Sequence, residues 1–313
     1  MFGSQGSFRL FRLKGIDVFL NWTWFLVAVF EIQARKGRYS SVAWNVVEYL
    51  ALFGIVLTHE FGHALACRSV GGTADKIMLW PLGGVAYVSP PQRPGATLWS
   101  IAAGPLVNVA LAPILIGAWM AASALHWRYS MPDVYNLIRA VTSIDIGLLV
   151  FNILPIYPLD GGQILRSLLW YPLGRARSLM VAAVIGFVGV AGFIALAVWT
   201  QSIWMGLIAL YAGMNCWNGF KMARALRNVE KIPRRQGFAC PSFRTAPPLG
   251  VFWTCNKCST KFDTFATGGV CPQCAARFER TTCLDCRQAA PISEWQVGHV
   301  AGVGVLNGEV TAR

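Results

Sequence analysis

Apolar positions along this chain gather into long, nearly uninterrupted runs, set apart by short polar or basic stretches. A helix needs about 20 apolar residues to cross a bilayer, so each run is read first as a membrane helix. The first covers residues 16–32 and follows Arg9, Arg12 and Lys14. No small-x-small cleavage motif comes after it, so it is expected to stay as a membrane helix rather than leave as a leader. Asp17 and Asn21 are out of character at its start. Further runs at 42–67, 98–125, 134–157, 179–200 and 203–220 bring the expectation to six spans, the last two forming a tight hairpin. Residues 76–91 break the pattern. They are apolar but interrupted by Pro81, Gly83 and Gly84, and predict a strand, a turn and a strand, or a re-entrant hairpin. Non-helical backbone is tolerated at membrane depth where it lines a cavity or is buried in protein.

Composition agrees. Of 313 residues, 55% are hydrophobic and 13% charged, against about 25% charged in soluble proteins. The formal net charge is +13, and the excess lies beside the spans. Lys221, Arg224, Arg227, Lys231, Arg234 and Arg235 follow the last one. Such a segment suits anionic lipid headgroups, and no nucleic-acid partner is expected. The basic N-terminus, a basic loop holding Arg166, Arg175 and Arg177, and the basic tail fall on one side of six spans. Arg35, Lys36, Arg38 and Arg128 fall on the other. The positive-inside rule then puts both termini in the cytoplasm. The chain divides into a six-span domain (1–220), a basic juxtamembrane segment and linker (221–250), a cysteine module (251–290) and a tail (291–313).

The chemistry starts in the second run, at His59-Glu60-Phe61-Gly62-His63. Residues four apart on a helix share one face. His59 and His63 can therefore hold one zinc ion, with Glu60 placed as general base toward a water. Two histidines and a carboxylate in an apolar helix are costly unless they serve a metal or a wet cavity. A catalytic zinc takes three protein ligands. Asp160 is the best candidate for the third, because Pro155 and Pro158 break the fourth run before it and Gly161-Gly162 permit close approach. The competing reading of Asp160 is a turn residue at a helix end. Asp145 lies deeper in the same run, either pairing with a polar group such as Asn108 or lining the substrate path. Asn108 either takes an interhelical hydrogen bond or acts in catalysis. It follows Ala102-Ala103-Gly104-Pro105, whose small residues let another helix come close.

Together, His59-Glu60-Phe61-Gly62-His63, Gly104-Pro105-Leu106-Val107-Asn108 and the stretch from Asn152 through Pro155 and Pro158 to Asp160-Gly161-Gly162 resemble the site-2 protease family of intramembrane zinc metalloproteases. Pro81-Leu82-Gly83-Gly84 is similar to that family's membrane-embedded hairpin. Six spans with cytoplasmic termini look most like its sporulation-type branch. The resemblance implies zinc on His59, His63 and Asp160, water activation by Glu60, and substrate positioning or oxyanion stabilisation by Asn152. It implies a membrane-anchored protein as substrate and, for this branch, the plasma (inner) membrane of a prokaryote. A nucleotide-binding regulatory domain or an inserted peptide-binding domain, found in some members of that branch, is not seen.

Cys255-x-x-Cys258 and Cys271-x-x-Cys274 have the spacing of a four-thiolate structural zinc site and resemble a zinc ribbon. The expected fold class is thus an α-helical polytopic membrane protein of six transmembrane helices with a re-entrant β-hairpin, plus a small C-terminal zinc-ribbon-like domain. The cofactors are one catalytic Zn2+ and at least one structural Zn2+. The module either staples a domain that lacks a core or docks a protein partner. Cys283-x-x-Cys286 could complete a site with His299, compete for the first site, or stay free. Cys67, Cys216 and Cys240 read as small residues without a role in metal binding. The main alternative to a protease is a proteolytically silent zinc-containing membrane binder or chaperone, which has no need of Glu60. A metal transporter would need a polar path that the last two runs do not offer.

Overall fold

The computed structural model describes residues 6–297, apart from 36, 81, 82, 243 and 287. Pro81 and Leu82 of the expected turn, and His299, lie outside the described residues. The chain divides into two compact units, Met1–Arg227 and Asn228–Arg313.

The first unit opens with strands, where a membrane helix was expected to begin. β1 (Ser7–Leu13) and β2 (Ile16–Asn21) form an antiparallel hairpin, and only then does a short apolar helix start, α1 (Thr23–Ala34). The reason lies in the alternation hidden inside the apolar run. Ile16, Val18 and Leu20 are buried while Asp17 and Phe19 are half-buried, the period of a strand with one covered face. Asp17 stays near water and pairs with Arg9 at 3.3 Å. α2 (Val42–Ser69) carries the histidine pair. After it come β3 (Thr73–Trp80) and β4 (Gly83–Ser89), the expected strand pair. They join the first hairpin in one sheet of order β1-β2-β3-β4, with β2 and β3 parallel and Asp17 opposite Lys76.

This sheet lies on α2. Ile16, Val18, Ile77 and Leu79 share a core with Val56, Ala64 and Cys67 of the helix. Each such aliphatic side chain, taken fully from water, contributes roughly 1.5–3 kcal/mol. At the start of α2, buried Glu48 receives hydrogen bonds from Arg35 and, at 2.5 Å, from the Tyr39 hydroxyl. Burial, with Glu48 beside it, holds the Tyr39 phenol above its ordinary range, so it remains a donor.

α3 (Pro94–Ala124) packs against α2 through the small residues noted in its sequence. A Cβ on Gly62 would run into the Ala103 carbonyl, so the two helices approach closely there. After a single turn, α4 (Trp127–Ser130), α5 (Pro132–Ile153) follows and stops before Pro155. A helix cannot easily continue into a proline. Residues 154–159 are non-helical, and α6 (Asp160–Thr200) begins at Asp160. Here the basic loop expected between the fourth and fifth runs is absent. Arg166, Arg175 and Arg177 lie on α6, which breaks only at Gly174 (φ 77°). Arg166 and Arg175 lie over the Trp170 ring, which lets the helix carry charge among apolar residues. α7 (Ile203–Glu230) completes this set of elements.

Among the described residues, α2, α3, α5 and α6 are long and apolar enough to cross a membrane, and α1 is a shorter apolar helix. Their outer faces show Leu50, Ile114, Met120, Val150 and Val188 to the surroundings. That is the surface of an integral membrane protein, whose lipid-facing side is apolar.

The second unit holds β5 (Trp253–Thr254) paired with β6 (Lys261–Phe262), β7 (Arg280–Thr282) paired with β8 (Ala289–Pro291), and a 3-10 turn at Ile292–Trp295. Its core joins Cys240, Phe265, Cys283 and Trp295. Thus residues expected as linker and as tail supply part of this core. A bidentate Arg234–Asp285 pair and a single Arg235–Asp263 hydrogen bond fasten the start of the unit to its later turns.

Candidate metal centre

His59 and His63 sit one turn apart on α2, both buried, and their rings meet edge to face. Each ring is oriented through its Nδ1. His63 Nδ1–H donates to the Ser100 carbonyl on α3 at 2.9 Å. His59 Nδ1–H donates to Asn108 Oδ1 at 2.6 Å. Asn108 in turn donates its amide N–H to Asp145 Oδ1 on α5 at 2.7 Å. That bond leaves the Asn108 oxygen facing the histidine, and an oxygen only accepts. With Nδ1 protonated on both neutral rings, each Nε2 keeps a lone pair.

Those lone pairs point at one another and at a carboxylate. His59 Nε2 and His63 Nε2 are 3.1 Å apart, and Asp160 Oδ2 lies 3.0 Å from the first and 3.3 Å from the second. Three acceptors with no proton to share repel one another unless a cation stands between them. Zinc bonds of about 2.0–2.1 Å in a tetrahedron require ligand atoms about 3.3 Å apart. The donor set and its spacing therefore fit zinc.

Asp160 reaches the histidines from the first residue of α6. The chain of 154–159 folds back so tightly that a Cβ on Gly161 would meet the Ile153 and Leu154 carbonyls, and one on Gly162 the backbone of Ile156 and Tyr157. This is the close approach for which glycine is suited. Gln163 steadies the turn by donating to the Pro158 carbonyl at 3.1 Å.

Glu60 is buried beside the pair but turned toward the sheet. Its Oε2 accepts the Ala86 N–H of β4 at 2.8 Å. A Cβ on Gly84 would collide with its carboxylate. A cavity of about 450 Å³ joins these groups and is lined by His59, Glu60, His63 and Asp160, with Asn152 and Gln163 at its wall. Asn152 thus lines the same space as His59, His63 and Asp160. Asn108 and Asp145 stand behind His59. Sequence reasoning left out the Ser100 carbonyl, the Ala86 N–H and Gln163. The first two are backbone groups used at these positions, which no residue type signals.

Removing the hydrogen bond that orients His59 should weaken metal binding without touching a ligand. Asn108→Ala is expected to lower zinc affinity about 10- to 100-fold, read by competition with a chromogenic chelator.

In the second unit, Cys255, Cys258, Cys271 and Cys274 bring four Sγ atoms within 4.8 Å of one another, and Cys240, Cys283 and Cys286 bring three. Cys258 is held low, at about 6, by the Thr260 hydroxyl and backbone N–H. Cys274 is pushed up to about 12: the Ala276 N–H pulls it down, but the neighbouring sulfurs and desolvation outweigh that pull. Cys67 and Cys216 are buried small residues whose thiols donate to the carbonyls of Thr73 and Tyr157.

The model of peptidase family M50 matches residues 47–140 and 126–196. A zinc metalloprotease of Methanocaldococcus jannaschii is 32% identical over 182 residues, 58% of this chain and 50% of that protein. The putative zinc metalloprotease Rip3 of Mycobacterium tuberculosis is 27% identical over 257 residues, 75% of this chain and 62% of its own length. Stage IV sporulation protein FB of Bacillus subtilis is 36% identical over 121 residues, 37% of this chain and 38% of that one. The chain therefore spans less than two thirds of these curated relatives. Among solved structures, the site-2 protease from M. jannaschii superposes with a TM-score of 0.50 at 27% identity, over 68% of this chain and 95% of that one. The matched segments contain α2, α3, α5 and the start of α6, the elements that bring the two histidines and Asp160 together, and with them this chain belongs to peptidase family M50, alongside the site-2 proteases.

Proposed function

We propose that the protein is an intramembrane zinc metalloprotease, which hydrolyses a peptide bond in or near the transmembrane segment of a membrane-anchored protein. One observation carries this reading: three ligand atoms converge on a cavity whose wall also holds a buried carboxylate, Glu60, that is not one of the three. A purely structural site would need the ligands and not the carboxylate, which distinguishes this reading from a silent binder.

His59, His63 and Asp160 would hold the zinc. When bound, zinc lowers the pKa of a water toward about 7 and polarises the scissile carbonyl. Glu60 accepts the proton of the attacking water at a carboxylate oxygen and later returns it to the leaving amine. Asn152, at the cavity wall, donates its amide to the substrate carbonyl or to the oxyanion that forms from it. Asn108 and Asp145 act through His59 by fixing its ring. A peptide bond in a helix has its carbonyl occupied, so the substrate must unwind locally. β4 lines the cavity and, among the described residues, is paired on one side only, to β3, which suits addition of an extended substrate segment as a further strand.

In this reading α1 and α7 join the four long apolar helices to make six spans, β3–β4 enters the membrane as a re-entrant hairpin, and both termini lie in the cytoplasm of a prokaryotic inner membrane. The chain carries one catalytic zinc, a structural zinc on Cys255, Cys258, Cys271 and Cys274, and a module that docks a protein partner or substrate.

The test is cleavage of a single-span reporter by the purified protein in detergent or liposomes. Treatment with a zinc chelator is expected to stop cleavage, and added zinc to restore it. Cleavage that survives complete removal of zinc would rule out the metalloprotease.

A further inference from the structure

We propose that the second unit binds a second zinc ion of its own, on the thiolates of Cys240, Cys283 and Cys286. The three sulfurs lie within 4.8 Å of one another, and Cys240 and Cys286 are 3.6 Å apart. The same 3.6 Å separates Cys255 from Cys274 and Cys258 from Cys271 in the first cluster. Zinc–sulfur bonds of about 2.3 Å in a tetrahedron place sulfurs about 3.8 Å apart. Both clusters are therefore close to the size zinc requires.

The backbone makes the stronger argument, because it repeats one turn. Cys255 donates its N–H to the Thr260 carbonyl and accepts from the Ser259 N–H, both at 2.9 Å. Cys271 does the same with Ala276 and Ala275, at 2.9 and 3.0 Å. Cys240, in a stretch with no Cys-x-x-Cys motif, does so with Thr245 and Arg244, at 2.9 and 2.7 Å. The residue after each turn has positive φ: 59° at Ser259, 53° at Ala275 and 53° at Arg244. Cys283 opens a fourth such turn, donating to the Gln288 carbonyl at 2.8 Å. Its sulfur accepts N–H groups from Asp285 and Cys286, as that of Cys255 does from Lys257 and Cys258. Positive φ is uncommon for non-glycine residues, and one shared turn accounts for it at Arg244, Ser259 and Ala275.

The four turns pair crosswise along the chain: the second with the third, and the first with the fourth. In the first turn the sequence has Phe243 where the others have their second cysteine, and Phe243 lies outside the described residues. The site draws three thiolates from this chain. Soft thiolates select zinc over magnesium or calcium. Aromatic side chains enclose it: Phe265 lies 5.0 Å from Trp295 and 5.2 Å from Phe238, ring centre to ring centre. Arg234 clamps Asp285 within the fourth turn. This metal stands apart from proteolysis, since its binding is counted without any substrate.

The experiment measures zinc per chain by elemental analysis in the full-length protein, purified in detergent with reductant. Cys240→Ser is expected to lose one equivalent, Cys258→Ser another, and the double variant both. In the cobalt-substituted protein the sulfur-to-metal charge-transfer absorption should fall from that of seven thiolates to that of four in Cys240→Ser. Unchanged zinc and absorption in Cys240→Ser would overturn the proposal. So would a Cys240–Cys286 disulfide in the wild-type protein as purified. Phe243→Cys supplies the reverse test, which does not depend on how Cys240→Ser folds. The added thiol should keep the zinc content and slow release of this zinc to chelator, and unchanged release would overturn the site.

Discussion

Glu60→Gln is expected to cut cleavage of a co-expressed single-span substrate by about 10²- to 10⁴-fold, while the zinc stays in place. Glutamine matches glutamate in shape, and its carbonyl oxygen can still accept the Ala86 N–H that Glu60 accepts at 2.8 Å. It has no useful basicity, so only the proton transfer is removed. The three converging ligand atoms belong to His59, His63 and Asp160, which predicts an unchanged zinc count. Processing of the reporter and the zinc content of the same preparation check both halves. Equal processing by the two proteins would end the protease reading in favour of the silent binder.

Gly104→Ala should separate the metal from the fold. By intrinsic preference the change strengthens α3, since glycine in a helix interior costs about 1 kcal/mol relative to alanine. Yet the new methyl group would occupy the space of His63 Nε2 and press on His59 Nε2. Both ligand atoms must then turn away from Asp160. The expected result is a helical, membrane-inserted protein with the catalytic zinc lost. Its affinity should fall by more than the about 10- to 100-fold typical of changes behind the ligands, with cleavage abolished. Circular dichroism and zinc content measured together decide it. Loss of helix along with zinc would mean that the methyl group disrupts α2–α3 packing instead.

What the sequence made legible follows from where its information is local. His59 and His63 are four residues apart on one helix, so their shared face needs no tertiary knowledge. The break before Asp160 was visible in Pro155 and Pro158, and the strand pair after α2 in its short, glycine-interrupted apolar run. Residues 16–21 were misread because a short apolar run looks alike in a helix and in a covered strand. What decides it is β3, which is distant in sequence. Arg166, Arg175 and Arg177 read as a loop because three cations are unusual in a membrane helix. Their accommodation rests partly on Trp170, a contact that spacing alone does not disclose. Cys240 looked inert because its turn lacks the second cysteine, and a backbone conformation leaves no letter in a sequence.

The parallel pairing of β2 with β3 also sets an order of assembly during synthesis. β2 leaves the ribosome early, but its partner arrives only after α1 and all of α2 have been made. Until then Ile16, Val18 and Leu20 have no β3 to lie beside, and a parallel pair of this separation closes slowly. His59 and His63 thus emerge before the sheet that positions Glu60, and well before Asp160. The nascent chain passes through a stage with two imidazoles and no carboxylate ligand. In the proposed reading the hydrolytic centre is completed only when the start of α6 has been translated, so the growing polypeptide would stay inactive toward its neighbours in the membrane while it is still being built.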